Sequence, residues 1–150
     1  MLLIKNRRAR HDYEIKQTWQ AGIVLEGHEV KSLRLKHASL EGAYVKILNQ
    51  EAWLINARIN PYRYANLENY DPKRTRKLLL SKKEIYQLID AVNSKSHTIV
   101  PLEFFLFRNR IKVKIGSGKG KREYEKRAVI KKRDLKRQMS KDFKQAKLKI

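Results

Sequence analysis

The sequence contains no cysteine, so disulfide bonds and thiolate chemistry are excluded. No apolar run approaches the ~20 residues that span a bilayer. The apolar start Met1-Leu2-Leu3-Ile4 is too short for a signal sequence and meets Lys5, Arg7, Arg8 and Arg10 at once, which reads as a cytoplasmic chain. Acidic side chains are scarce, 15 against 36 Lys and Arg, and they lie singly among basic residues. No acidic cluster is present that would hold two metal ions for phosphodiester hydrolysis. His11, His28, His37 and His97 show no ligand spacing, so neither a metal nor a cofactor is expected. The segment ending in Gly120-Lys121 has Ile115 where a phosphate-binding loop needs its first glycine, and Arg122 where it needs a hydroxyl. The chain reads as a non-enzymatic binder.

What is present in excess is positive charge. The formal net charge is +21, and the last 32 residues carry +10 of it, with 14 basic and 4 acidic side chains. A terminal segment so enriched is a candidate arm for a polyanion, because each neutralised phosphate releases condensed counterions. The remaining 118 residues hold most of the apolar side chains, concentrated between residues 13 and 115, enough for one domain of ordinary size. The expected division is a folded body over residues 1–118 and a basic tail over residues 119–150.

Within the body, residues 1–12 read as a basic arm, and Tyr13, Ile15 and Gln17 alternate as in a first strand. Thr18 reads as the cap of a short helix reaching Leu25 and closed by Gly27. Residues 28–36 fit strand and helix equally. Residues 42–48 and 52–59 read as two strands joined at Asn49-Gln50-Glu51. Residues 60–77 form a long connection. Ser81 and Glu84 make a capping box ahead of Ile85, Leu88, Ile89 and Val92, one apolar helical face. Residues 98–107 and 110–115 read as a hairpin turning at Arg108-Asn109, with Pro101 marking a strand start, a bulge or an edge. Three glycines in Gly116-Ser117-Gly118-Lys119-Gly120 read as a flexible exit. Together these predict a mainly β, small antiparallel barrel with a few short helices.

In the tail, Leu135, Met139, Phe143, Ala146 and Ile150 recur at helical spacing among Lys and Arg. Such a stripe lacks a core and its crowded charges repel, so the expectation is disorder when free and helix on an anionic partner. Packing back onto the barrel is the alternative. Aromatics beside the basic runs offer stacking faces to unpaired bases: Tyr62, Tyr64 and Tyr70 before Lys73-Arg74-Thr75-Arg76-Lys77, and Tyr124 within Lys121-Arg122 to Lys126-Arg127. Each body tyrosine reads equally well as barrel packing.

Six segments in order carry a resemblance: Asn6-Arg7-Arg8-Ala9-Arg10-His11; Gly22-Ile23-Val24-Leu25; Glu29-Val30-Lys31-Ser32-Leu33-Arg34; Asp71-Pro72 with Arg74-Thr75-Arg76-Lys77-Leu78-Leu79-Leu80; Thr98-Ile99-Val100-Pro101-Leu102; and Gly118-Lys119-Gly120-Lys121 with Lys126-Arg127. The set resembles the SmpB family of bacterial trans-translation. The resemblance implies an oligonucleotide-binding (OB)-type barrel that grips the tRNA-like domain of transfer-messenger RNA and brings it to ribosomes stalled without a stop codon. It implies that the basic tail occupies the decoding centre and the empty message channel. Asn6, Gln20 and Leu79 match family positions that contribute to binding the RNA's tRNA-like elbow; Gln20 departs from the Glu often found there, though an amide can both accept and donate a hydrogen bond. Arg7, Arg8, Arg10, His11, Lys31, Arg34, Arg74, Arg76 and Lys77, with Lys119, Lys121 and Arg122, complete the candidate RNA-binding set. Tyr124-Glu125-Lys126-Arg127 match the segment that engages the decoding centre, with Glu125 where Asp is more common. A monomer is expected. The alternatives are a ribosomal or ribosome-assembly barrel that binds rRNA, and an RNA-processing enzyme.

Overall fold

In a computed structural model of the chain, the described residues are 1–65, 67–121 and 137–138. The chain divides into two compact units, Met1–Gly120 and Lys121–Ile150. In the second, Arg137 and Gln138 are helical. The tail stripe from Leu135 to Ile150 lies outside the described residues.

The first unit is built from β1 (Leu2–Lys5), α1 (Arg7–Asp12), β2 (Tyr13–Ile23), α2 (Gly27–Arg34), β3 (Ala38–Ser39), β4 (Tyr44–Leu48), β5 (Glu51–Ile55), β6 (Arg58–Ile59), β7 (Arg76–Leu79), α3 (Lys82–Asn93), β8 (Thr98–Phe107) and β9 (Arg110–Gly120). Seven strands form one antiparallel sheet in the order β1-β8-β4-β5-β7-β2-β9. A further β8–β9 pairing bends six of them into a partly closed ring, while β3 and β6 pair separately. The seams are thin: β4 meets β8 at Val45 and Ile99, and β2 meets β7 only at Gly22–Leu79 and Ile23–Leu78. The expected small antiparallel barrel is therefore present.

Period-two alternation decides which side chains face inward. Trp19, Ala21, Val45, Ala52, Leu54, Leu78, Val113 and Ile115 are buried from successive strands, and Leu33, Ile85 and Leu88 cover the core from helices. Both expected hairpins turn through two residues of positive φ, Asn49 (50°) with Gln50 (61°) and Arg108 (50°) with Asn109 (61°), the pattern whose twist matches that of paired strands. In α3 the capping box forms as expected, with the Ser81 hydroxyl accepting from Glu84 N at 3.2 Å. Its buried residues are Ile85, Leu88 and Ala91, whereas Val92 is 40% exposed.

Three local readings are corrected and one left open is resolved. The basic arm is structured: β1 pairs with β8, and Asn6 caps α1. The segment after Thr18 is strand, because Thr18, Trp19, Gln20, Ala21 and Gly22 all pair with β9, and this long-range ladder overrides a local cap signal. The ambiguous stretch is largely helix α2, opened by a capping box between Glu26 and Glu29. The glycine-rich exit is also strand, with Gly116, Gly118 and Gly120 facing Thr18, Ile15 and Tyr13. Gly118 is required by close approach, since a Cβ there would stand 2.2 Å from the Glu14 carbonyl oxygen. Pro101 sits at a register shift in the β8–β9 ladder, the bulge among its three expected placements.

Candidate nucleic-acid interface

Where β2 leaves β7, a cleft of about 700 Å³ opens between the sheet and the start of α3. Gln20, Gly22, Leu79, Ser81, Glu84, Arg110 and Lys112 line it. Gln20 and Leu79, chosen from sequence, thus share one site although 59 positions separate them in the chain. Strand alternation explains the convergence. Trp19 and Ala21 point inward, so Gln20 and Gly22 point outward; Leu78 points inward, so Leu79 is 52% exposed. The Gln20 amide engages no side chain among the described residues and keeps both its donor and acceptor functions. Glu84 is occupied by the capping box, its carboxylate accepting from Ser81 N at 3.0 Å. Arg110 and Lys112 give the cleft its positive rim. Sequence reading missed both, although their alternation with buried Ile111 and Val113 was the available signal.

The Arg74-Thr75-Arg76-Lys77 run is divided by the same alternation. Arg76 points inward and is fully buried. Its Nε donates to Glu29 at 2.7 Å, and its terminal nitrogens donate to the carbonyls of Ala57, Arg74 and Pro72 and to the Tyr70 hydroxyl. All five N–H groups have internal partners, so Arg76 is corrected from RNA contact to scaffold. Arg74 also donates twice to Glu29 and is largely committed there. Burial pushes the Glu29 carboxyl up, but hydrogen bonds from Arg74, the Glu26 backbone and Arg76, with the charge of Arg76, outweigh it and hold Glu29 at about 2. Burial and the Glu29 carboxylate together raise Tyr70 to about 12. Its hydroxyl donates toward Glu29 and the Ile59 carbonyl, so of its two expected readings Tyr70 takes the packing one. Lys77 faces outward, with a 3.3 Å pair to exposed Glu51.

Asn6 is 4% exposed. Its Nδ2 donates to the carbonyls of Leu40 (3.1 Å) and Pro101 (2.8 Å), and its Oδ1 accepts from Ala9 N. These bonds tie the Leu40 segment, β8 and α1 together, so Asn6 is a buried support for the helix that follows. That helix presents Arg7, Arg8 and Arg10 outward. Arg8 pairs at 3.3 Å with Glu41 and 3.5 Å with Asp12, exposed ion pairs of little strength. His11 is half-buried against Asp12. A smaller cavity of about 290 Å³ lies beside Arg7, Arg8 and Ser39.

On α2, Lys31 and Arg34 are exposed, and Lys31 Nζ stands 5.4 Å from the centre of the Tyr62 ring. Tyr62 packs edge-on against Tyr64, which is 77% exposed beside Arg63. Those two tyrosines keep accessible faces, unlike Tyr70. Lys119 is exposed on β9, opposite Glu14. Lys121 is half-buried just beyond the strand. Arg122, Tyr124, Glu125, Lys126 and Arg127 lie outside the described residues. Among the described residues no group of acidic and histidine side chains is arranged to hold a metal, and no helix is long and apolar enough to cross a membrane.

Comparison with known proteins gives the family and the fold. A family model described as SmpB protein matches residues 3–145. An SsrA-binding protein of Protochlamydia amoebophila is 48% identical over 95% of this chain and 94% of its own length. One from Elusimicrobium minutum is 50% identical over 93% and 88%. A solved structure described as "tmRNA-SmpB: a journey to the center of the bacterial ribosome" contains a chain with a TM-score of 0.68 and 41% identity, covering 87% of this chain and 95% of that one.

Proposed function

The chain belongs to the SmpB family, and from that premise we propose that it is an RNA-binding adaptor for transfer-messenger RNA. Its body binds the tRNA-like domain of that RNA and delivers it to stalled ribosomes in the cytoplasm, where the incomplete protein is tagged. No bond-making step is assigned to the protein. The observation that carries this reading is the cleft uniting Gln20, Leu79, Arg110 and Lys112. It combines an amide with free hydrogen-bonding capacity, an exposed apolar side chain and two cations, which suits an RNA elbow with splayed bases and close phosphates. Arg7, Arg8, Arg10, Lys31, Arg34 and Lys77 add outward charge that extends the contact to the RNA backbone.

The basic segment beginning near Lys119 is the ribosomal half of the adaptor. Tyr124, Glu125, Lys126 and Arg127 engage the decoding centre, and the apolar stripe beyond them becomes helical in the vacant message channel. The charge of +10 over residues 119–150 supports this, since a cationic segment gains most where rRNA phosphates surround it.

A competition gel shift tests the first half. The tRNA-like domain should displace bulk tRNA with nanomolar-range affinity and a steep loss of binding at higher salt. Equal affinity for both RNAs rejects it, and RNA cleavage or modification during the incubation rejects the adaptor role. For the second half, a chain ending after Lys121 should bind the tRNA-like domain as the whole chain does but support no tagging on stalled ribosomes.

A further inference from the structure

The two tryptophans have opposite environments. Trp19 is 6% exposed and donates its indole N–H to Gln87 at 2.8 Å, as a core tryptophan should. Trp53 alternates with buried Ala52 and Leu54 and therefore lies on the outer face of the sheet, half-buried. Its indole N–H has no partner among the described residues and is not enclosed. Its neighbours in register are lysines on both sides, Lys46 on β4 and Lys77 on β7. Val24, whose N–H donates to the Lys77 carbonyl at 3.0 Å, continues that row.

Apolar exposure collects on this face. Val24 (47%), Tyr44 (40%), Leu48 (48%) and Leu79 (52%) all belong to it and are all large hydrophobic side chains left in solvent. Exposed apolar side chains interspersed with Lys46 and Lys77 are the composition of a binding surface. The local anion is Glu51, whose 3.3 Å pair with Lys77 joins side chains 45% and 40% exposed and is weak enough for a phosphate to replace.

We propose that Trp53, between Lys46 and Lys77, is a stacking platform for an unpaired nucleobase of an RNA strand, with the two lysines holding the flanking phosphates. A flat aromatic between cations is the arrangement that binds single strands irrespective of sequence, because every base offers a π-face. An RNA strand is favoured over an acidic peptide because the cations flank a flat aromatic ring, and every base offers that ring a π-face. This platform adjoins the Gln20–Leu79 cleft through Leu79, so the interface is wider than the cleft alone.

The experiment is a fluorescence titration of the full chain with an unstructured oligouridine RNA. Stacking should quench the Trp53 emission, and Trp53→Phe should remove that quenched component while leaving the buried Trp19 signal. Trp53→Ala should weaken oligouridine binding roughly ten-fold, and Trp53→Phe should retain most of it. Double substitution of Lys46 and Lys77 by Gln should flatten the salt dependence. Unchanged emission at saturating oligouridine, or a Trp53→Ala chain that binds as tightly as the parent, overturns the proposal. Circular dichroism of the Phe variant guards against misfolding. Its failure is distinguishable from failure of the transfer-messenger RNA reading, because oligouridine binding and preference for the tRNA-like domain over bulk tRNA are measured separately.

Discussion

The Arg76 guanidinium lies fully buried against the carboxylate of Glu29, a residue 47 positions earlier in the chain. The pair ties α2 to β7, and the Arg76 bonds to Ala57 and Pro72 carbonyls fasten the long connection between β6 and β7 to the same point. Because this connection leads into β7, the pair sets where Leu79 reaches the cleft beside Gln20.

Removing one member of such a pair leaves a buried charge without a partner. Arg76→Ala should therefore lower stability by about 3–5 kcal/mol in urea denaturation. Arg74→Ala should cost less, because the Arg74 side chain is 27% exposed and Arg76 still serves Glu29. A Arg76→Ala chain of parental stability that merely binds RNA more weakly would restore Arg76 to the interface.

Stability should also fall in acid through Glu29. The carboxyl titrates at about 2 in the folded chain against an ordinary 4.5, so the unfolded chain takes up its proton first as the pH drops. The stabilisation is complete above the ordinary value and disappears as the pH approaches 2, amounting to roughly 3 kcal/mol. Tyr70 acts at the other extreme: raised from 10 to about 12, its contribution is lost as the pH climbs between those values. Denaturation curves from pH 7 down to 3, with Glu29→Gln lacking this part of the slope, check the acid limb.

The glycines of β9 separate strand from loop. Gly118→Ala would force a methyl group into the Glu14 backbone and should destabilise by about 2–3 kcal/mol. Gly120→Ala meets nothing within 4 Å and should stay within about 0.5 kcal/mol of the parent. Thermal melts of the two variants give the comparison. Equal, small effects would return this stretch to a loop.

Asn6 and Leu79, to which the family resemblance gives the same RNA-binding role, should behave differently. Asn6→Ala removes a helix cap and strands two buried carbonyls, lowering stability by about 2 kcal/mol or more. Leu79→Ala, at a half-exposed position, should leave the melting temperature nearly unchanged and weaken the tRNA-like domain in a gel shift. If instead Asn6→Ala is as stable as the parent, the caps described for α1 are not what hold it.

Much of this architecture was legible because its signals are local. Ser81 and Glu84 announced α3, and the alternation around Asn49-Gln50 and Arg108-Asn109 announced two hairpins. The errors came where a long-range ladder overrode a local signal. Thr18 carries a cap signal and Gly116 to Gly120 a loop signal, yet each is strand because the other stretch pairs with it. No window of either segment contains its partner, so neither could be read alone.

The amino-acid order by itself determined the sign of the partner, the β character of the body and the membership of the SmpB family, because charge, alternation and motif order are properties of the chain read along its length. Only the tertiary structure decided which cations remain available. Arg76 and Lys77 are neighbours in sequence, but a strand turns them to opposite faces, one toward Glu29 in the core and the other toward solvent beside Trp53. Burial is set by what arrives from elsewhere in the chain, and it divides a uniform basic run into scaffold and binding surface.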